Sequence, residues 1–186
     1  TGGDPLAGLM GAVALFAALA HRRKTGEGQH IDLSQLEAST MFVGDVLMEA
    51  IYNGRNPERR GNWHPGMAPH ETYPCADGNW VAIACRDDAD WARLAALIGR
   101  AELAAPGAAT ATLAGRHAAL AQIDSAVAGW AGARSADTAM REAQAAGVPA
   151  GSVLNGKQLL EDVHLRARSF FITEERAWVG PKHNPG

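Results

Sequence analysis

The sequence predicts an α/β protein, and three features of its pattern support that prediction. Residues 6–19 are Ala-rich and apolar on nearly every side of a helix, as in a buried helix. Residues 71–75 and 80–85 are strand-forming runs separated by the turn-forming residues 76–79, as in a β-hairpin. Residues 55–70 are polar and rich in proline, and ordered connectors of this length are usually functional or linking.

This connector divides the chain into three predicted parts. We expect residues 1–54 to belong to one domain, residues 55–70 to form a linker and loop, and residues 71–186 to form a small α+β domain. The length of 186 residues is sufficient for one or two domains with a buried core. The chain begins at Thr1 rather than at Met, and we expect it to be a fragment of a longer protein.

The first helix is predicted to begin at Asp4, as its N-cap, with Pro5 at the first helical position. Basic residues 21–24 follow the apolar segment, where the helix dipole favours cations. A secretory signal would carry its charges before the apolar segment, so we interpret this one as part of the fold. The run is interrupted by Gly8 and Gly11 and is shorter than the roughly 18–20 residues that a membrane span requires. We therefore expect no membrane-spanning segment.

The rest of the first part is predicted to contain one strand and one helix. Residues 29–33 alternate enough to predict a short strand. Residues 34–37 match a capping box, which predicts a second helix that runs to about Tyr52 and ends at Asn53-Gly54.

The third part, residues 71–186, alternates between helix and strand patterns. Asp88 is expected to cap a helix over residues 89–98, which Gly99 ends. The further predicted elements are helices over residues 116–130 and 137–146, a strand over residues 150–154, helical turns over residues 156–162 and 163–168, and strands over residues 170–173 and 176–179.

Charge and cysteine content argue against several classes of protein. The net charge of −3 and the pI near 6.1 provide no basic surface for nucleic acid or for an anionic membrane. Two cysteines are too few for a disulfide framework. In the predicted hairpin Cys75 faces Trp80 and Cys85 faces His70, so the thiols are not cross-strand partners. We expect reduced thiols and a cytoplasmic location.

Asp4 is the first candidate for chemistry. A carboxylate held at the positive end of a helix stays ionised and can act as a nucleophile, but a structural N-cap explains the same residue. The histidines lack zinc-ligand spacing, and phosphate-binding glycine motifs and serine elbows are absent, so we expect no metal. Arg86-Asp87 follow a predicted strand, where binding residues often lie, although acidic residues there also suit the start of a helix.

Several short segments along the chain resemble one known family. The segments are residues 4–8, 21–29, 31–38, 60–62, 68–70, 73–83, 147–151 and 164–168. In this order they resemble the family III CoA-transferases, which include formyl-CoA and carnitine CoA-transferases and α-methylacyl-CoA racemase. The resemblance covers nearly the whole chain, and the T-G-x-G-Q-x-I-D pattern at residues 25–32 is its specific part.

The resemblance implies a fold and a reaction. Residues 1–54 would be the end of a Rossmann-like large CoA-binding domain, and residues 71–186 most of the family's small α+β domain. Full-length members form interlocked homodimers and move CoA from an acyl-CoA to a carboxylic acid, with no permanently bound cofactor. The family's nucleophile is an aspartate at the position of Asp4, which passes through an aspartyl-CoA intermediate.

The resemblance also implies further site residues. Residues 64–70 match a loop that closes over the intermediate, which makes His64, Gly66 and Met67 candidates for substrate binding. This stretch is not glycine-rich, unlike the loop of the formyl-CoA member. A second group matches a region near CoA; it consists of Arg86, Asp87 and Asp88.

Two alternatives remain open at this point. A racemase would use Asp4 as an acid/base with a histidine upstream of this chain, and a glutamate of the racemase site falls at Asp87. The hairpin sequence is closer to the transferases. A non-catalytic packing domain is the second alternative, and we expect the isolated 186-residue chain to be inactive.

Overall fold

Two compact units make up the chain in the computed structural model, which describes residues 2–56 and 58–185. Their ranges are Thr1–Arg59 and Arg60–Gly186. The division falls inside the predicted connector, residues 55–70. Helices and short strands occur together, which confirms the α/β class.

The first unit is helical. Helix α1 (Gly3–Thr25) ends at Gly26, whose φ of 82° is readily available to glycine. Helix α2 (Gln35–Thr40) continues through a 3₁₀ turn, Met41–Val43, into α3 (Gly44–Asn53). The predicted stop after Asn53 is confirmed, because Gly54 adopts a φ of 64° there.

Three predictions for this unit are wrong. Asp4 is not the N-cap, because α1 begins at Gly3, two residues before the predicted first helical residue, and Gly2 holds the N-cap position without a side-chain bond. Residues 29–33 form no strand, since a strand requires a hydrogen-bonded neighbour and the described part of the chain places none beside them. The helix after Ser34 is broken by the 3₁₀ turn rather than continuous.

The prediction that α1 is buried is also wrong. None of its described side chains is buried, and Leu9, Val13 and Phe16 are 60%, 56% and 70% exposed. Helix α1 has 23 residues and contains an 18-residue window with a mean hydropathy of 1.6, so by length and composition alone it could cross a membrane. This corrects the expectation that no segment is long and apolar enough to do so. Core helices of soluble proteins satisfy the same two criteria.

The second unit mixes helices with two small sheets. Its helices are α4 (Asp88–Leu97), α5 (Leu113–Ala118), α6 (Leu120–Ala131), α7 (Ala136–Ala145), α8 (Gly156–Glu161) and α9 (Val163–Ala167). Its strands are β1 (His70–Pro74), β2 (Trp80–Ala84), β3 (Ala150–Val153), β4 (Phe171–Arg176) and β5 (Gly180–Pro185). Strands β1, β2 and β3 form an antiparallel sheet in that order, and β4 pairs with β5.

The β1–β2 hairpin forms in a different register from the predicted one. Pro74 pairs with Trp80 and His70 pairs with Ala84, one residue away from the predicted pairs of Cys75 and Cys85. The reason is that Cys75 belongs to the turn, where its N–H donates to Asn79 O at 2.9 Å. Both thiols are free and buried, and burial raises the pKa of Cys85 to about 12.

One face of the three-stranded sheet packs on helices to form the core of the second unit. Alternate strand residues Tyr73, Val81 and Ile83 are 2% exposed or less. They belong to one apolar cluster with residues of α4, α6 and α7: Trp91, Leu94, Ile123, Val127, Ala139 and Ala143. Burial of this apolar surface stabilises the unit.

Two helix starts in this unit differ from the prediction. Asp87, not Asp88, is the N-cap of α4, and its Oδ1 accepts from Asp90 N at 2.8 Å. The predicted helix over residues 116–130 is two helices separated at Ala119, and the first begins before Arg116. Gly115 lets α5 approach the preceding 3₁₀ turn, because a Cβ there would lie 1.7 Å from Ala109 O.

Candidate active site

Asp4 lies in the first turn of α1 and is exposed. Its Oδ1 accepts a hydrogen bond from Gln35 Nε2 at 2.5 Å, which joins the start of α1 to the start of α2. Among the described residues, Gln35 alone bonds to this carboxylate, so Oδ2 keeps its lone pairs available. The positive end of the 23-residue helix α1 stabilises a negative charge at this position. The carboxylate is thus oriented by a neutral donor.

The approach of α1 to α2 requires a small residue beside Asp4. A Cβ on Gly3 would lie 3.2 Å from Ser39 Oγ and 3.4 Å from Gln35 Nε2. Gln35 and Ser39 are four residues apart and share one face of α2. Ser39 Oγ is buried and has no hydrogen-bond partner among the described residues. Gln35 is not among the predicted site residues, although it lies in the predicted capping box of residues 34–37 and in the family-like segment of residues 31–38.

The loop of residues 64–70 is held by bonds within itself and to its neighbours. His64 Nδ1 accepts from Gly66 N at 3.1 Å, and an isolated bridge pairs His64 with Met67. The rings of His64 and His70 are 5.3 Å apart, and His70 Nδ1 lies 2.7 Å from Asn62 O. The structure therefore brings together all three predicted substrate-binding residues of this loop.

Helix α5 supplies two contacts to this loop that local sequence patterns do not reveal. Arg116 is 1% exposed, and its Nε donates to Ala68 O at 2.7 Å. His117 Nε2 lies 3.3 Å from Pro65 O, and its ring is 5.2 Å from that of Trp63. A buried guanidinium must be paired, and Arg116 also donates to Asp88 Oδ1 at 2.8 Å.

Acidic groups lie beside the same loop. A cavity of about 130 Å³ is lined by residues that include Met67, His70 and Asp124. Tyr73 Oη donates to Asp124 Oδ1 at 2.7 Å. Burial raises the pKa of Asp124 despite this bond, and it raises that of Tyr73 as well. A larger cavity of about 490 Å³ shares His70 and lies over the sheet face that carries Ala82.

The predicted CoA-binding residues lie together at the start of α4, and each is bonded within the second unit. Arg86 Nε donates to the buried Asp90 at 2.7 Å, and this bond lowers the pKa of Asp90 to about 2 although burial alone would raise it. Asp87 caps α4, and Asp88 receives the bond from Arg116. These bonds give all three a structural role, and contact with CoA stays a prediction.

The chemistry available is that of carboxylates and hydrogen-bond donors. Within residues 2–56 and 58–185, no three His, Cys, Asp or Glu side chains are grouped so that they could hold a metal ion. The arrangement therefore offers an oriented carboxylate in the first unit and a bonded loop in the second.

Comparison with known proteins identifies the family. The model of CoA-transferase family III matches residues 2–185. The chain belongs to CoA-transferase family III. Succinyl-CoA--D-citramalate CoA-transferase of Chloroflexus aurantiacus is 35% identical over 171 residues, which cover 91% of this chain and 42% of that protein. The alpha subunit of succinyl-CoA--L-malate CoA-transferase from the same organism is 33% identical over 181 residues, 96% of this chain and 41% of that protein.

A solved structure agrees with this assignment. The crystal structure of a CAIB/BAIF family protein from Brucella suis matches with a TM-score of 0.81 and 28% identity, over 97% of this chain and 50% of that one. The predicted resemblance to the family is therefore confirmed. The chain spans about two fifths of the length of the curated relatives it matches.

Proposed function

We propose that the protein containing this chain transfers CoA from an acyl-CoA to a carboxylic acid, with Asp4 as the nucleophile. The observation that carries this proposal is the Asp4 carboxylate at the start of α1, oriented through Oδ1 by Gln35 with Oδ2 available. Membership of CoA-transferase family III supports the reaction class.

The proposed reaction is a sequence of acyl transfers at Asp4. An Asp4 oxygen attacks the thioester carbon, the C–S bond breaks, CoA leaves as a thiolate, and a mixed anhydride between Asp4 and the acyl group remains. The thiolate attacks the Asp4 carboxyl carbon, which releases the donor carboxylate and forms an aspartyl-CoA thioester. The acceptor carboxylate attacks this thioester, and the released thiolate then attacks the acceptor's acyl carbon and frees Asp4.

The acceptor is proposed to be a dicarboxylic acid and the donor to be succinyl-CoA. The two relatives above are named for succinyl-CoA with D-citramalate and with L-malate, and both acids carry two carboxylates. We further propose that residues 64–70 cover the reacting groups, with His64, Gly66 and Met67 facing the substrate. Water must be kept from the anhydride and the thioester, and a covering loop supplies that exclusion.

A homodimer is proposed for the protein at its natural length. The first unit leaves Leu9, Val13 and Phe16 largely exposed, and apolar patches of that kind mark interaction surfaces. Sedimentation measurements that show only a monomer over the working concentration range would contradict the dimer without affecting the proposed reaction.

The decisive experiment is mass spectrometry of the natural-length protein after incubation with succinyl-CoA. We expect a covalent adduct on the peptide that contains Asp4, and none on the Asp4→Asn variant. Exchange of the substrate's α-proton with solvent deuterium, without an adduct or transfer, would instead indicate racemase chemistry. Absence of both adduct and transfer with every acid tested would overturn the proposed function.

A further inference from the structure

We propose that Arg116 is a positioning residue that holds the covering loop, residues 64–70, in the conformation seen in the structure and so keeps water from the acyl intermediates. This inference rests on the proposed function for its catalytic consequence. Its structural basis is the set of contacts that α5 makes with the loop.

The contacts of Arg116 are directional and buried. Its Nε donates to Ala68 O at 2.7 Å, and Ala68 is itself 0% exposed. Its Nη1 donates to Asp88 Oδ1 at 2.8 Å and to Ala111 O at 3.1 Å. One guanidinium therefore joins the loop, the start of α4 and the segment before α5. A lysine cannot reproduce this, because its single ammonium lacks the planar fork that reaches several acceptors.

Further hydrogen bonds hold the loop on either side of Ala68. The carbonyl of Pro69 accepts from Cys85 N at 2.8 Å, so the end of the loop is bonded to the strand exit. His117, next to Arg116 in α5, faces Pro65 O at 3.3 Å and must donate through Nε2, since a carbonyl only accepts. The loop is thus bonded at Pro65, Ala68 and Pro69. A loop held in this way has a defined position within the second unit.

The consequence concerns how the intermediates react. A displaced loop admits water, which attacks the anhydride or the aspartyl-CoA thioester and yields free acid and free CoA instead of the acceptor's thioester. Transfer and hydrolysis start from the same intermediates on the same folded molecules. The ratio of hydrolysis to transfer is therefore independent of how much of a variant is folded, whereas total activity is not.

The test compares Arg116→Lys with Arg134→Lys in the natural-length protein. Arg134 is a matched control in the same unit: it donates to a backbone carbonyl, Trp130 O at 2.8 Å, and to a carboxylate, Glu142 Oε2 at 2.7 Å. With succinyl-CoA and L-malate, free thiol reports hydrolysis and chromatography of CoA thioesters reports transfer. We expect Arg116→Lys to raise the ratio about tenfold, because small displacements at a reacting centre have large effects, and Arg134→Lys to leave it unchanged.

Two further measurements separate this inference from the proposed function. His117→Phe keeps a ring beside Trp63 but removes the donor, and we expect a smaller rise in the ratio than for Arg116→Lys. Hydrogen exchange of peptides covering residues 62–72 needs no activity, and we expect faster exchange in Arg116→Lys than in the control Arg134→Lys. If exchange and ratio match the control, the positioning role is overturned, whereas a wild-type protein without transfer overturns the proposed function and leaves exchange to decide the loop contact.

Discussion

The two units of the chain differ in how they bury apolar side chains. In Arg60–Gly186 a cluster that includes Trp91, Leu94 and Ile123 is fully buried between a sheet and three helices. Among the described residues of Thr1–Arg59, Ala38 is the only buried apolar residue, and α1 has none. The candidate nucleophile belongs to the unit without a core, and the candidate covering loop to the unit with one.

This difference shows which apolar side chains find their packing partners within the described residues and which do not. The second unit contains both sides of its own core, so its fold is specified within the chain. The apolar residues of the first unit have helical order but no surface to pack against in the described residues. Substitutions in the two units should therefore have different effects, and the following predictions use that contrast.

The largest expected effect is that of Asp4→Asn on activity. In the natural-length protein we expect transfer to fall by about 10³-fold or more, because an amide does not replace a nucleophilic carboxylate. Stability should change by less than about 0.5 kcal/mol, since Asp4 is not the N-cap and the asparagine oxygen can still accept from Gln35. Steady-state kinetics and urea unfolding measure the two effects.

Near-normal turnover in Asp4→Asn would contradict the assignment of Asp4 as the nucleophile and would leave its carboxylate with a structural role only. Gln35→Ala provides the companion variant, because it removes the donor and leaves the carboxylate in place. We expect it to lower kcat by less than Asp4→Asn does, and an adduct on Asp4 should still form.

The sequence predicts the elements better than their caps or their contacts. Helix α1, the β1–β2 hairpin and the stop at Gly54 follow from local patterns of apolar, turn and cap residues. The cap assignments fail by two residues at Asp4 and by one at Asp88, because nearby residues offer similar cap positions and local energies hardly distinguish them.

Contacts between distant residues could not be predicted from local patterns. Gln35 meets Asp4 across 31 residues, and Arg116 meets Ala68 across 48. Neither pair has a spacing that a helix or strand period would reveal. The predicted burial of α1 failed for a related reason, since an apolar pattern indicates a tendency to be buried but does not identify the covering surface.

A matched pair of Leu→Ala substitutions tests the contrast in packing. In the 186-residue chain, Leu94→Ala removes a fully buried side chain and should lower the free energy of unfolding by about 2–5 kcal/mol. Leu9→Ala removes a side chain that is 60% exposed and should change it by less than about 0.5 kcal/mol. Urea unfolding followed by circular dichroism measures both.

The same two substitutions, made in the natural-length protein, test whether another surface covers α1 there. If the natural-length protein buries Leu9, the cost of Leu9→Ala should increase there towards that of Leu94→Ala. A small effect of Leu9→Ala in both lengths would show that Leu9 remains uncovered and would contradict a dimer interface on this face of α1.

Acid should weaken the second unit through Asp90. Its pKa is lowered from 3.8 to about 2, first by the Arg86 hydrogen bond, so the folded state holds the ionised form more strongly than the unfolded state does. The resulting stability is present above the unfolded pKa and is lost as the pH falls through 3.8 towards 2. Asp90→Asn should be less stable than the wild type near neutral pH and should lose less stability over this range.

The control for this acid effect is Asp137→Asn. Asp137 forms an exposed i,i+4 pair with Arg141, and such pairs contribute little to stability. The free energy of unfolding of Asp137→Asn should show the same pH dependence as that of the wild type. An Asp90→Asn variant with the wild-type slope would show that the ion pair between Arg86 and the buried Asp90 carboxylate does not contribute to acid sensitivity.

The smallest expected effect is the loss of a helix cap, and it can be compared between the units with the same substitution. Ser135 Oγ accepts from Thr138 N at 3.2 Å at the start of α7, and Ser34 Oγ accepts from Glu37 N at 3.3 Å at the start of α2. Ser→Ala at an N-cap costs about 1 kcal/mol when the helix belongs to the cooperatively folded structure. In the 186-residue chain we expect Ser135→Ala to lower the free energy of the main unfolding transition by that amount. Ser34→Ala should leave this transition unchanged, because α2 belongs to the unit without a core; equal losses would show instead that the two units unfold together.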